Sequence, residues 1–298
     1  MRVFVTGSTG WIGSATVDEL LSSDHEVLGL ARSETSAATL AAKGASVLRG
    51  ELDDLDSLRR GASEADAVVH LANKHDWADS AGTDRAERLA VESMLDALAG
   101  STKPFVIANG LSGIADGRLV LETDASPAVG PESDRGGSEN LALGFASRGV
   151  RSVAVRFAPT THGHGDWGFV NWLTAAARKQ GVSGYIGDGN NEWSAVHVTD
   201  AARLIRLGLE SAPAGTRLHA VAEQAIPTRA IAEALGEVLG LPVTSVDPVD
   251  AAAHFGVVGH FFGITMTASS ARTRELLSWN PVGPGLLDDI RSGAYTTD

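Results

Sequence analysis

Short apolar runs alternate with helix-period patterns through the first half of the chain. The runs at 2–6, 26–31, 45–49, 66–72, 104–109 and 152–157 are rich in Val, Ile and Leu, which predicts strands. Between them, the segments 12–23, 34–43, 54–62, 83–99 and 134–148 show helical patterns. Val-, Ile- and Leu-rich strands separated by helices indicate a parallel sheet covered on both faces, a doubly wound α/β domain. After about residue 160 the pattern loosens. Gly163, Gly165 and Gly168 interrupt it, a helix is predicted over 169–180, and the turn-rich Gly187-Asp188-Gly189-Asn190-Asn191 follows. A helix near 199–210, a strand near 216–221, a helix near 227–239 and a helical tail with Pro281 and Pro284 complete the chain. The expected organisation is a sheet domain over 1–165 and a smaller C-terminal substrate lobe over 166–298. That lobe closes over the carboxyl ends of the strands, with some of its elements returning to the sheet.

Composition narrows the partners. The 298 residues are 43% hydrophobic and 20% charged, enough apolar material for a sizeable core. A net charge of −13 argues against nucleic acid or an anionic membrane as the main partner. With no cysteine there is no disulfide, thiolate metal site or cysteine nucleophile. No apolar run approaches the roughly 20 residues of a membrane span. Met1 leads straight into a strand, so a soluble cytoplasmic protein is expected.

The strongest local signal is the exit of the first strand, Gly7-Ser8-Thr9-Gly10-Trp11-Ile12-Gly13. Gly7 permits the tight turn, Gly10 lets backbone approach a pyrophosphate, and Gly13 lets the helix pack on the strand. The first helical amides then face the phosphates, as in a dinucleotide-binding (Rossmann) domain. The second strand ends at Ala31-Arg32-Ser33, where an NAD-preferring site carries an acid for the ribose 2′-hydroxyl. Arg32 can fork onto a 2′-phosphate, with Ser33 as a further donor, so the expected cofactor is NADP(H).

With Thr6-Gly7-x-x-Gly10-x-x-Gly13, Gly50-Glu51-Leu52-Asp53, Val69-His70-Leu71-Ala72-Asn73, Arg156-Phe157-Ala158-Pro159 running to Gly163 and Gly165, and Val196-His197-Val198-Thr199-Asp200, the chain resembles the extended and atypical short-chain dehydrogenase/reductase superfamily, near its NAD-dependent epimerase/dehydratase branch. The resemblance implies adenine contacts at Glu51 and Leu52. It implies contacts along the carboxyl edge at Leu71, Ala72, Asn73, Asn109 and Gly110, and a nicotinamide flanked by Phe157, Pro159, Thr160 and Thr161. It also implies a Tyr-x-x-x-Lys pair, which this chain lacks. Ser138 stands at the tyrosine position and Ala142 at the lysine position, and neither Tyr185 nor Tyr295 has a lysine four residues on. The usual hydroxyl after the fifth strand falls at Gly110, leaving Ser112 two residues later.

Three residues are candidate replacements: Ser112 to orient a carbonyl, Ser138 to donate directly or through water, and His162, whose ordinary pKa suits proton transfer near neutrality. Both serines also fit simple local backbone bonding. Lys74 and His75 lie in a charged loop that can equally be solvated. His162, His164 and Asp166 alternate along an extended segment, but no fourth ligand is visible, so no metal is expected. Trp167, Phe169, Trp172, Trp193, Phe255, Phe261 and Phe262 fit an apolar substrate pocket or the lobe's core. Val257–Gly263 fits a lid or a packing segment. The helices near 83–99 and 134–148, with Leu89, Met94, Leu95 and Leu98, fit either a homodimer bundle or the chain's own core. The leading expectation is an NADPH-dependent reductase of a small apolar carbonyl or other unsaturated compound. The alternatives are a catalytically silent NADP(H) sensor and an epimerase or dehydratase.

Overall fold

The computed structural model describes residues 1–115 and 117–296, so the last two positions of the expected lobe lie outside them. The strands are β1 (Arg2–Thr6), β2 (Glu26–Ala31), β3 (Ser46–Arg49), β4 (Ala67–His70), β5 (Pro104–Gly110), β6 (Arg151–Phe157), β7 (Thr160–His162), β8 (Ser183–Ile186), β9 (Glu192–His197), β10 (Thr216–Ala220), β11 (Glu223–Pro227) and β12 (Val243–Val246). The helices are α1 (Trp11–Ser22), α2 (Glu34–Ala42), α3 (Leu55–Glu64), α4 (Ser80–Leu98), α5 (Gly136–Gly144), α6 (Phe169–Gln180), α7 (Val198–Ser211), α8 (Thr228–Leu239), α9 (Ala251–Phe255), α10 (Val258–Phe262), α11 (Ala271–Leu277) and α12 (Leu286–Arg291). The predicted helix over 134–148 is shorter, with its last turn tightened into a 3-10 segment at Phe145–Arg148.

Seven parallel strands form the central sheet in the order β10-β6-β5-β4-β1-β2-β3. Alternate side chains of each strand go to opposite faces. Val3, Val5, Val69, Val106 and Val155 join Val17 and Leu20 of α1 and Leu204 and Ile205 of α7. Phe4, Val68, Phe105 and Ile107 join Leu58 of α3 and Val91, Met94, Leu95 and Leu98 of α4. Burial on both faces explains the near-continuous apolar runs. The apolar stripe of α4 therefore fills the protein's own core, and of its predicted members only Leu89 is exposed.

The 166–298 segment divides between the two parts. Strand β10 extends the main sheet beside β6, and α7 packs on α1. A second core, with Leu173, Trp193, Ile231, Leu235, Phe255, Phe262 and Tyr295, builds the lobe around the small sheets β11-β9-β7 and β12-β8. The predicted pocket aromatics Trp193, Phe255 and Phe262 belong to this core, and Val257–Gly263 packs through α10 with Val258 buried.

The sheet order reverses direction between β1 and β4. In a doubly wound sheet this switch point opens a crevice at the carboxyl ends, and the glycine turn leaves β1 there. Helices α2, α3 and α4 are capped by the side chains of Ser33, Asp54 and Asp79. The N-cap of α1 is Gly10, which offers no side-chain acceptor and leaves the first amides of that helix open to a ligand.

Candidate cofactor and substrate site

The glycine turn is a tight cradle. Gly7 has φ +65°, and a Cβ there would stand 2.7 Å from the Ala72 amide nitrogen. A Cβ on Gly13 would stand 1.9 Å from the Gly7 carbonyl oxygen. The exits of β1 and β4 are joined through Thr6. Its hydroxyl accepts from the amides of Leu71 and Ala72 and so gives its proton to Nδ1 of His70, 2.8 Å away. His70 is thereby fixed as the Nε2–H tautomer, and burial, aided by Arg135, pushes its pKa down to about 3. It is a neutral strut under the cleft.

Ser8 donates its hydroxyl to the Leu30 carbonyl, leaving its backbone for a ligand. The Trp11 indole donates to the Thr161 carbonyl at 2.6 Å and ties the start of α1 to β7. Thr160 is buried and bonds to Ser194, whereas the Thr161 hydroxyl is buried with no partner among the described residues. Phe157 is buried at the end of β6. Arg32 and Glu51 are exposed at the ends of β2 and β3. Arg49, which nothing local in the sequence picks out, donates to the Ser33 carbonyl at 2.7 Å and pairs with the exposed Glu34 at 3.3 Å, bringing a second guanidinium to the end of β2. The residues present fit a dinucleotide: a side-chain-free turn, uncapped amides and cations at the ribose end.

At the carboxyl edge, the side-chain amide of Asn73 is engaged at both ends. It donates to Glu87 at 2.5 Å and accepts from the His75 amide, which holds His75 at φ +51°. Lys74 turns away to Asp53. Trp77 crosses to the lobe and meets Phe261 and Trp172 edge-on, at centroid separations of 5.6 and 6.3 Å.

Below β5 lies a charge network with a fully buried centre, Arg156 and Glu139. Glu139 of α5 takes a two-pronged contact from Arg156 (2.6 and 2.9 Å), and also accepts from Asn109 and Arg217. Burial alone would raise the Glu139 carboxyl, but Arg156, Asn109 and Arg217 outweigh it and hold it below its ordinary value. Nδ1 of His219 donates to the Ser269 carbonyl, so its Nε2 faces Arg156 as a neutral acceptor.

The three candidates for the missing pair sit in different settings. Ser112 is exposed and lines a cavity of about 310 Å³ with Leu111, Arg118, Val120, Ile264 and Met266. Ser138 is buried on α5, with no hydrogen bond to its hydroxyl among the described residues. His162 is fully buried and holds Asp289 at 2.6 Å, and burial lowers its pKa despite that carboxylate. His162, His164 and Asp166 do not converge: Asp166 receives the Tyr295 hydroxyl at 2.8 Å and the Gly168 amide. Tyr295 serves the lobe, its phenol raised by burial and then by Asp166. Tyr185 lies on β8, so neither tyrosine reaches α5.

Burial pushes Asp166 up to about 6, above its ordinary 3.8. The unfolded state ionises first, so the stability this group contributes is full below about pH 4 and is lost as pH rises to about 6. The ceiling is about 3 kcal/mol at 1.36 kcal/mol per unit. Asp166→Asn should therefore raise Tm at pH 7.5 and change it little at pH 4, with thermal melts at both values as the check.

The NAD dependent epimerase/dehydratase family profile matches residues 3–103. An uncharacterized protein of Saccharomyces cerevisiae is 42% identical over 98% of each chain. The chain belongs to the NAD-dependent epimerase/dehydratase family. A 4-hydroxy-2-methyl-3-oxo-4-farnesyl-3,4-dihydroquinoline-1-oxide ketoreductase of Stigmatella aurantiaca is 29% identical over 72% of this chain and 66% of its own. The dTDP-glucose 4,6-dehydratase of Streptomyces venezuelae, solved with NAD bound, superposes with a TM-score of 0.76 at 21% identity, covering 99% of this chain and 96% of its own. Membership in this epimerase/dehydratase family supports an NAD(P)-dependent oxidoreductase or epimerase. It makes a nicotinamide cofactor the ligand class of the glycine turn. Among the described residues no helix is long and apolar enough to cross a membrane.

Proposed function

We propose that this family member is an NADP(H)-dependent reductase acting on a carbonyl or other unsaturated group of a small, largely apolar compound. The observation that carries the reading is the cavity beyond β5. It is about 310 Å³, and it sets the side chains of Ser112, Arg118, Thr265 and Thr267 among Leu111, Ala115, Val120, Ile264 and Met266. That size lies at the lower end of small-molecule sites, about 300–1,000 Å³, and suits a small compound better than a sugar nucleotide. A nicotinamide would supply hydride; the chain would bind, orient and exclude water. Gly7, Gly10, Gly13 and the amides of α1 would hold the pyrophosphate, and Phe157, Pro159, Thr160 and Thr161 would flank the nicotinamide.

The preference for NADP(H) rests on Arg32 and Ser33 following β2, with no acid at the end of that strand, and on Arg49, which reaches the Ser33 carbonyl while also pairing with Glu34. Fluorescence titration should show NADPH binding at least tenfold more tightly than NADH. Arg32→Ala should remove most of that margin, since a charge-assisted hydrogen bond contributes about 1.5–3 kcal/mol. Equal affinity for the two cofactors in the unaltered protein would contradict the assignment. Tight NADPH binding without turnover on ketones, aldehydes, imines and enones would favour the sensor reading.

A further inference from the structure

We propose that Arg135 is the group that receives the substrate oxygen, in place of the absent tyrosine–lysine pair. This rests on the reductase reading above, and it sets the reacting oxygen at the β4 exit rather than at Ser112 of the cavity beyond β5. Arg135 is the N-cap residue of α5, three positions before Ser138. Its Nε lies 3.0 Å from Oε2 of Glu87, a carboxylate only 1% exposed on α4. The same Glu87 accepts from Asn73, directly after β4. One buried carboxylate thus fixes both the guanidinium and the loop that leaves the sheet. The Arg135 side chain remains 32% exposed, and its two terminal nitrogens make no hydrogen bond among the described residues. A rigid fork held from behind and open in front is the geometry that binds a carboxylate, alkoxide or polarised carbonyl.

The surroundings favour that occupant. The chain of contacts from Arg135 to Glu87, from Glu87 to Asn73 and from Asn73 to the His75 amide sets the guanidinium beside the loop that leaves β4. From His75 the wall continues to Trp77, 6.4 Å away, and across to Phe261 and Trp172 of the lobe. The site has a cation at its inner end and aromatic rings at its outer end. It suits an apolar ring bearing an oxygen function.

The chemistry balances with NADPH as reductant. Hydride adds to the carbonyl carbon, the C=O π pair moves onto oxygen, and the resulting alkoxide is held by Arg135 until water supplies its proton; NADPH is oxidised to NADP⁺. A guanidinium serves here as a hydrogen-bond donor and not as an acid. Its role is to stabilise the charge developing on oxygen. Glu87 is a positioning residue.

The test has one arm that needs no turnover. Binding of benzoate, a planar ring with an oxyanion, is measured by calorimetry on the NADP⁺-loaded protein. The unaltered protein should bind it. Arg135→Ala should weaken binding by about 100-fold, Arg135→Lys less, and Glu87→Gln by about tenfold, with NADP⁺ affinity changed less than threefold. In the second arm, kcat/KM for the best carbonyl substrate should fall about 100-fold in Arg135→Ala and recover partly on adding guanidinium. If Arg135→Ala misfolds with Glu87 stranded, Arg135→Ala/Glu87→Gln removes that charge and serves instead. No benzoate binding by the unaltered protein, or equal binding by the alanine variant, overturns the proposal. So does carbonyl turnover retained within threefold in Arg135→Ala, which leaves the reductase reading standing. Benzoate binding that depends on Arg135, with no carbonyl turnover by the unaltered protein, supports the Arg135 site and removes the reductase reading.

Discussion

Gly13→Ala should abolish dinucleotide binding, raising the Kd for NADPH at least 100-fold, and should cost the fold about 3 kcal/mol. A Cβ at this position would lie 1.9 Å from the Gly7 carbonyl oxygen and 2.8 Å from its carbon. Neither side can yield cheaply. Gly7 already sits in the left-handed region with the β4 exit against it, while α1 is held to the sheet by Val17 and Leu20, both fully buried. The helix must lift, which separates the α1 amides from the turn that completes the phosphate cradle. Overpacking typically costs 1–3 kcal/mol, and backbone as the clashing partner puts this case at the upper end. Gly10→Ala is the internal contrast. Its Cβ would meet the Gly7 oxygen at 3.2 Å, so the fold should tolerate it while cofactor affinity still falls through lost backbone approach. Fluorescence titration and thermal melts separate the two effects. NADPH binding within threefold of normal in Gly13→Ala would refute the geometry.

Arg156→Met should be the most destabilising change in the sheet, by about 3–5 kcal/mol, because it strands a buried carboxylate. Arg156 and Glu139 are both fully buried, and only Arg217, at the edge, would remain to balance Glu139. Arg156→Met with Glu139→Leu removes both charges and should recover most of the loss, since apolar replacements of a buried pair are often neutral or better. The double variant should not recover full activity. Asn109 loses its acceptor, and the β5 exit leading to Ser112 loses its anchor. Denaturant melts of the two single variants and the double variant measure the coupling, and additive losses would contradict it.

The parallel sheet was legible because strands buried on both faces leave long β-branched runs, and the glycine turn because its backbone demands particular residues. Strands β7, β8, β9, β11 and β12 were not legible. They are three to six residues long, carry mixed polarity, and owe their form to pairing within the lobe. The site residues divide in the same way. Arg32 is visible as the residue after a strand, but Arg49 becomes relevant only when β3 lies beside β2. Glu87 and Glu139 look like ordinary polar positions on helices, and nothing local announces that each is buried against an arginine 48 or 17 residues away. In the loop after β4 the charges drew attention, yet Lys74 pairs outward and Trp77 makes the crossing contact. His162 fits the pH range of a general acid, but the fold encloses it with Asp289, a partner 127 residues distant.

We propose that this chain holds a nicotinamide dinucleotide and uses it for reduction without a tyrosine–lysine pair. The most direct measurement is deuterium transfer. NADPH carrying deuterium at C4 is incubated with the protein and a panel of aryl and alicyclic ketones and aldehydes, and the products are read by mass spectrometry. The expected product is an alcohol carrying one deuterium, from one of the two C4-labelled forms and not the other. Tight NADPH binding with no labelled product from either form, across the whole panel, would contradict it.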